Sequence, residues 1–343
     1  TTMPLRTPWQ DRYFLSTQTT SISTAAGFTS SNIGILLNVF ALDVTNHPHL
    51  DPGQQIEDYR EATGLSVRSV RSGVTADEFQ QTRKEPSVTL EFQASAYNLA
   101  PFLWSLFQTG ASEGAAAVYP KTCIAYTDPA AEMWMSIARQ MSASTADSHR
   151  MDGAICRSLT LEAAGQGVVK ATAEMIGYDV ATNVNVSGYT ATWPNKAPLL
   201  WRNAGASLGT YVASTVIGID GFRLTMSNNA VGIYYHAHPP QKWVLGDFTI
   251  EGQIAVPWAA ATVGGNVEFD KFVAGTPSRL RLLWGSYAGT ADGELVIEVN
   301  MRYTGTTLEG DVETVATLPF VHAFDGTTNV TVVVSDSVQR TIP

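Results

Sequence analysis

The sequence predicts a mainly β protein made of two tandem β-sandwich domains, each flanked by one short α-helix. Three observations carry this expectation. Val, Thr, Ala, Ser and Gly are frequent and Lys is scarce, with 44% apolar and only 15% charged residues, the composition of strands and tight turns. Short stretches alternate apolar with polar residues, the period of a half-buried strand. One such stretch also recurs. "TLEFQ" at 89–93 and "TIEGQ" at 249–253 share Thr, Glu and Gln at alternate positions, 160 residues apart. A chain of 343 residues is long enough for two cores.

The repeat divides the chain into four parts. Residues 1–84 are an N-terminal segment belonging to the first domain, and its polar stretch at 43–86 is long enough to project as an arm. Residues 85–180 form the first core, 181–198 a linker and 199–343 the second domain. In "PSVTLEFQASAYN", Val88, Leu90, Phe92 and Ala94 fall on one face, opposite Thr89, Glu91, Gln93 and Ser95. In "GDFTIEGQIAVPW", Phe248, Ile250 and Ile254 oppose Thr249, Glu251 and Gln253.

A short helix follows each strand. "NLAPFLWSLFQTG" (98–110) and "NVEFDKFVAG" (266–275) both open with Asn, a good N-cap, and close with Gly, which tolerates the left-handed C′ position. In the second helix Phe269, Phe272 and Val273 form one apolar stripe, with Glu268, Asp270 and Lys271 facing water. The first helix is apolar nearly all round, so another subunit or domain should cover it, which makes Phe102, Trp104 and Phe107 candidate inter-subunit residues. Next come "AEMWMSIARQM", which could also be a helix capped by Asp128 and Pro129, and the pair "SLTLEA" and "VVKATAEMI" around a Gly165-Gln166-Gly167 turn. The corresponding stretches of the second half are "ELVIEVNMRY" and "TNVTVVVSD", and opposite "ELVIEVNM" the first of these reads as a strand.

Net charge is −10, with −6 over 1–180 and −4 over 181–343, so neither half offers a basic face for gripping phosphate. No apolar run of 18 residues exists to span a membrane, and "TTMPLRTPWQDRYF" lacks a signal-type apolar core, which points to a cytosolic origin. Cys123 and Cys156 have no metal or redox spacing and read as free buried thiols. Gly205-Ala206-Ser207-Leu208-Gly209 matches a nucleophile elbow, but a β-type stretch follows it, so Ser207 reads as a turn serine. His47/His49 and His236/His238 have the spacing of metal ligands, with Asp43 or Asp51 as a third. Both pairs lie beside prolines in loops, and no metal is expected. Gly165-Gln166-Gly167 lacks the third glycine and helix of a dinucleotide loop. Trp193, Trp201 and Trp258 could line a sugar-binding face, although packing is the commoner use of Trp. No cofactor and no enzymatic activity are expected.

The order of elements, with "MDGAICRSLTLEAAGQGVVKATAEMIGYD" (151–179) and "FRLTMSNNA…VLGDFTIEGQIAVPW" (222–258), resembles the tail tube proteins of long-tailed bacteriophages over about 85–343. The resemblance implies a sandwich with one flanking helix whose inner sheets join around a ring. Rings then stack into a tube that carries DNA without specific binding. A two-domain chain would close as a trimer with pseudo-sixfold symmetry, assembled in the host cytoplasm and placed in the virion tail. Its partners would be further copies of itself, tape measure and tail terminator proteins, with no membrane contact, and the arm and amino terminus would bridge neighbouring subunits or rings. The candidate lumen-facing residues are then Thr89, Glu91, Gln93, Thr160, Glu162, Lys170, Thr172, Glu174, Thr249, Glu251 and Gln253. An acidic, hydroxyl-rich wall of this kind would repel phosphate. Two alternatives stay open: a carbohydrate-binding β-sandwich module, and another virion part such as a decoration or distal tail protein.

Overall fold

The structure, a computed structural model, describes residues 12–18, 33–35, 39–48, 81–108, 119–124, 134–140, 148–165, 167–182, 184, 198–209, 214–216, 218–233, 240, 242–258, 265–285, 292–310, 314–323 and 330–336. The first half contains β1 (Arg12–Gln18), β2 (Ile33–Ile35), β3 (Val39–Pro48), β4 (Gln81–Gln93), helix α1 (Ala96–Phe107), β5 (Tyr119–Ile124), β6 (Trp134–Gln140), β7 (His149–Ala164), β8 (Lys170–Ile176) and β9 (Asp179–Thr182). The second half has β10 (Ala204–Gly209), β11 (Ser214–Val216), β12 (Gly221–Ser227), β13 (Val231–Ile233), β14 (Lys242–Val244) and β15 (Thr249–Pro257). Helix α2 (Gly265–Ala274), β16 (Ser278–Trp284), β17 (Glu294–Tyr303), β18 (Thr307–Glu309), β19 (Val315–His322) and β20 (Val330–Asp336) complete it. The protein is mainly β, and its strand pairings are antiparallel.

The pairing scheme of the first half recurs in the second. One ladder runs β2–β1–β6–β7–β9, and its counterpart runs β11–β10–β16–β17–β20. The other runs β3–β4–β8–β7, matched by β12–β15–β19–β17. Each half thus has two ladders sharing one long strand. In β7 the switch lies where the register shifts between Cys156 and Ser158, a bulge that bends the strand from one ladder into the other. The polar stretch at 43–86 begins as a two-stranded ribbon, Asp43 opposite Ser87 through Pro48 opposite Gln81, while 49–80 lie outside the described residues.

This scheme corrects two correspondences expected from sequence. The counterpart of "AEMWMSIARQM" is β16, "SRLRLLW", rather than "ELVIEVNMRY", which matches the long strand β7. "TNVTVVVSD" matches β9, and the partner of hairpin strand β8 is β19, "VATLPFVH".

The halves are joined through backbone as well as side chains. Seven residues of β12 pair with β7, from Gly221 opposite Ala164 to Ser227 opposite Ser158, and β5 pairs with β20. One sheet therefore runs β3–β4–β8–β7–β12–β15–β19 and ends on β17 and β18. Leu90, Phe92, Leu159, Leu161, Leu224, Met226, Ile250 and Ile254 put their side chains into a core that both halves share.

Helix α1 is capped three residues earlier than expected. Ser95 is its N-cap, accepting from the Asn98 N–H at 3.2 Å, and Gln108 ends it in the left-handed region at φ 50°, donating its N–H to the Trp104 carbonyl at 2.8 Å. Asn98 and Gly110 are therefore not its caps. The cover for its apolar surface comes from within the chain: α1 packs against β7, β5 and β20. Phe102, Trp104 and Phe107 are fully buried in a single copy, so the expectation that they contact another subunit is corrected. Phe102 stacks on Phe92 with ring centroids 5.1 Å apart, and Phe107 meets Phe248 of the second half at 4.9 Å.

Asn228, fully buried just after β12, fixes this junction. Its side-chain amide donates to the Leu106 carbonyl at the end of α1 (3.0 Å) and to the Cys156 carbonyl at the bulge (2.9 Å), while its oxygen accepts from the Ala230 N–H (3.1 Å). Helix α2 is held differently, and the stripe expected for it is corrected. Glu268 is buried rather than turned to water, because its carboxylate has three donors. These are Lys271 Nζ at 2.6 Å, the Tyr303 hydroxyl at 2.6 Å and the Ser278 hydroxyl at 3.3 Å. Val273 instead points outward, 69% exposed.

Replacing Asn228 with Ala strands two buried carbonyls, so equilibrium denaturation should show a loss of about 1–3 kcal/mol. Tyr303→Phe removes one donor to a buried carboxylate and should cost about 1.5–3 kcal/mol in the same measurement.

Candidate functional site

The eleven polar comb residues all lie on one face of the long sheet, opposite its buried side chains. Thr89, Glu91 and Gln93 stand beside Glu174, Thr172 and Lys170, and the last two stand beside Thr160 and Glu162 of β7. Thr249, Glu251 and Gln253 occupy the same face of β15. Glu91, Gln93, Glu162, Lys170, Glu174, Thr249, Glu251 and Gln253 are exposed, and the three remaining threonines are half-buried.

Strand β12 makes this face continuous. Arg223, Thr225 and Ser227 lie opposite Glu162, Thr160 and Ser158 on one side, and opposite Gln253, Glu251 and Thr249 on the other. The Thr160 and Thr225 hydroxyls meet at 3.0 Å across the junction of the halves, and Ser158 donates to Glu174 Oε2 at 3.1 Å. The β12 residues were missed as candidates, although Phe222, Leu224 and Met226 alternate with them at period two in "FRLTMS". Val321 on β19 and Arg302 on β17 continue the face by register.

This face is hollowed. One depression of about 780 Å³ is bordered by Thr160, Glu174, Thr225, Thr249 and Glu251, and another of about 700 Å³ by Gln93, Glu162, Lys170, Arg223 and Gln253. Each draws on strands of both halves. The charge is more balanced than expected: Glu91, Glu162, Glu174 and Glu251 are accompanied by Lys170, Arg223 and Arg302. Glu162 has Lys170 and Arg223 as register neighbours. Among the described residues the surface is thus weakly acidic and rich in hydroxyls, its cations interspersed with carboxylates rather than gathered into a phosphate site.

Among the described residues the other candidates do not come together in a site. Ser207 is a buried residue inside β10, opposite Val216 on one side and Arg281 on the other, so it is a strand residue and not the expected turn serine. His49, His236 and His238 lie outside the described residues. Trp201 packs with Phe222 at 4.8 Å and with Trp284 at 6.0 Å inside the core. Trp258 is 36% exposed and lies edge-on to Phe269, and Trp193 falls outside the described residues. Cys156 is a free, buried thiol, and burial, with a smaller contribution from Glu174, pushes its pKa far up. The Cys123 side chain lies outside the described residues.

The exposed carboxylates of this face contribute little to holding the fold, the Ser158–Glu174 bond lying at the surface. Glu91→Gln, Glu174→Gln and Glu251→Gln should each change unfolding free energy by no more than about 0.5 kcal/mol. Cys156 should resist alkylation at pH 8 until the protein is unfolded, as read by peptide mass mapping.

A family model described as phage tail tube protein matches residues 12–332, from the first described strand into the last. No curated protein matches the chain. With a helix-flanked β repeat and one polar face shared by both halves, the chain belongs to the phage tail tube protein family and is a structural protein of the virion tail.

Proposed function

We propose that copies of this chain close into rings, that the rings stack into the tail tube, and that the polar comb face lines the bore through which DNA is delivered to the host. The observation that carries this reading is the continuity of that face. Strands from both halves present polar side chains to one hollowed surface while their other side is core.

The duplicated pairing scheme supports a ring in which each half counts as one wall unit, so that three chains give a pseudo-sixfold ring. Each chain brings eight wall segments. At about 4.8 Å between strands and a tilt near 40°, three chains would enclose a circle on the order of 50 Å between backbones. Side chains narrow this to a bore that still admits a duplex. A weakly acidic wall releases no counterions when DNA enters, so the duplex slides rather than sticks. Tape measure and tail terminator proteins would meet this tube inside and at its end, and assembly would take place in the host cytoplasm.

Electron microscopy of the concentrated protein should show hollow tubes of constant bore, and isolated monomers at every concentration would overturn the reading. Tubes carrying Glu91→Lys, Glu174→Lys and Glu251→Lys together should retain nuclease-protected duplex DNA at low salt and release it as salt rises, whereas unmodified tubes should retain none. Equal retention by both would contradict a wall tuned against phosphate.

A further inference from the structure

One row of the comb face is charged at the junction of the halves and nowhere else in the repeat. Gln93, Lys170, Glu162, Arg223 and Gln253 stand side by side on β4, β8, β7, β12 and β15. Gln93 and Gln253 are counterparts, so the row beyond Gln253 should echo the row beyond Gln93. It does not echo its charges. Pro319 stands opposite Gln253 where Lys170 stands opposite Gln93. Thr304, whose N–H donates to the Pro319 carbonyl at 2.9 Å, takes the place of Glu162. Among the described residues, no other row across these five strands holds two cations.

Lys170, Glu162 and Arg223 are all exposed and border the depression of about 700 Å³, together with Gln93, Gln253 and, outside the row, Asp220. Strands lie about 4.8 Å apart, so Lys170 and Arg223 leave the sheet about 10 Å from each other. Two side chains of this length in one depression can close on a single phosphate, the guanidinium as a fork and the ammonium as a point charge. Glu162 stands between them, one strand from each, and offers both a carboxylate nearer than any passing phosphate. We infer that Glu162 is the residue that keeps DNA moving past this junction: its carboxylate masks the Lys170 and Arg223 pair, which without it would hold a phosphate once in every chain. This rests on the bore reading above and goes further, because it assigns the slipping of DNA to one placed carboxylate rather than to the net charge of the wall. Glu91 and Glu251 have no such pair to mask. Their row neighbours are Val39 and Thr172 for the first, Thr225 and Val321 for the second.

The test uses tubes assembled with duplex DNA, treated with nuclease and assayed for protected DNA. Glu162→Gln tubes should retain duplex at low salt, and so should Glu162→Thr tubes, which copy the residue at the counterpart position. Glu251→Gln removes the same charge from the same face and should retain several-fold less. Retention by the Glu162 variants should fall about tenfold for about a fourfold rise in salt, the slope of two phosphate contacts. Adding Lys170→Gln and Arg223→Gln to Glu162→Gln should abolish it. Equal retention by the Glu162 and Glu251 variants would overturn the mask in favour of net charge. Retention that survives removal of both cations would overturn their role as the pair being masked. Either result is read from tubes and leaves the ring reading standing, whereas monomers at every concentration would overturn the inference and the ring together.

Discussion

A strand edge cannot be left facing an apolar neighbour with its amides unpaired, and most of this architecture follows from how the chain meets that demand. Each half builds two ladders that share one long strand. Between the halves the demand is met by backbone: β12 lies along β7 over seven residue pairs, and β20 lies along β5. Two duplicated units thereby become one sheet with one hollowed polar face. Asn228 then fastens the place where the sheet, the bulge and the end of α1 meet. The polar comb depends on this junction, because only a continuous ladder puts Thr89, Thr160 and Thr249 on the same side of one surface.

The two halves keep the same pairing scheme while their helices have diverged. Helix α1 is apolar all round because β5 and β20 close over it, and β5 has no counterpart in the short stretch between α2 and β16. Helix α2 therefore stays at the surface. It is tied down by the buried Glu268 carboxylate as well as by Phe272 against the core, and burial together with that carboxylate raises the Tyr303 pKa. The phenol remains a donor below its ordinary range near pH 10. Its stabilising contribution is present there and fades as pH climbs through the raised value.

Much of this was legible in the sequence where side chains alternate and little where they do not. The comb strands could be read because exposed and buried residues take turns along them, and "TLEFQ" and "TIEGQ" expose the repeat. Strands β16 and β19 alternate in burial as well and were passed over all the same, since "SRLRLLW" runs its arginines into an apolar end and "VATLPFVH" carries a proline. Glu268 was misplaced because a lone carboxylate on a helix looks solvated until the Tyr303 hydroxyl, 35 residues away, donates a hydrogen bond to it. The cover of α1 was foreseen in kind and misassigned in source, since no local pattern tells that β20, more than 200 residues on, returns to it.

The central claim is that the comb face is the inner wall. A three-dimensional reconstruction of the assembled protein, fine enough to trace strands, tests it most directly. The account predicts Glu91, Glu174 and Glu251 pointing into the bore, with α1 and α2 on the outer side of the wall. Density that places those carboxylates on the outer surface, or a closed particle with no bore, would contradict it.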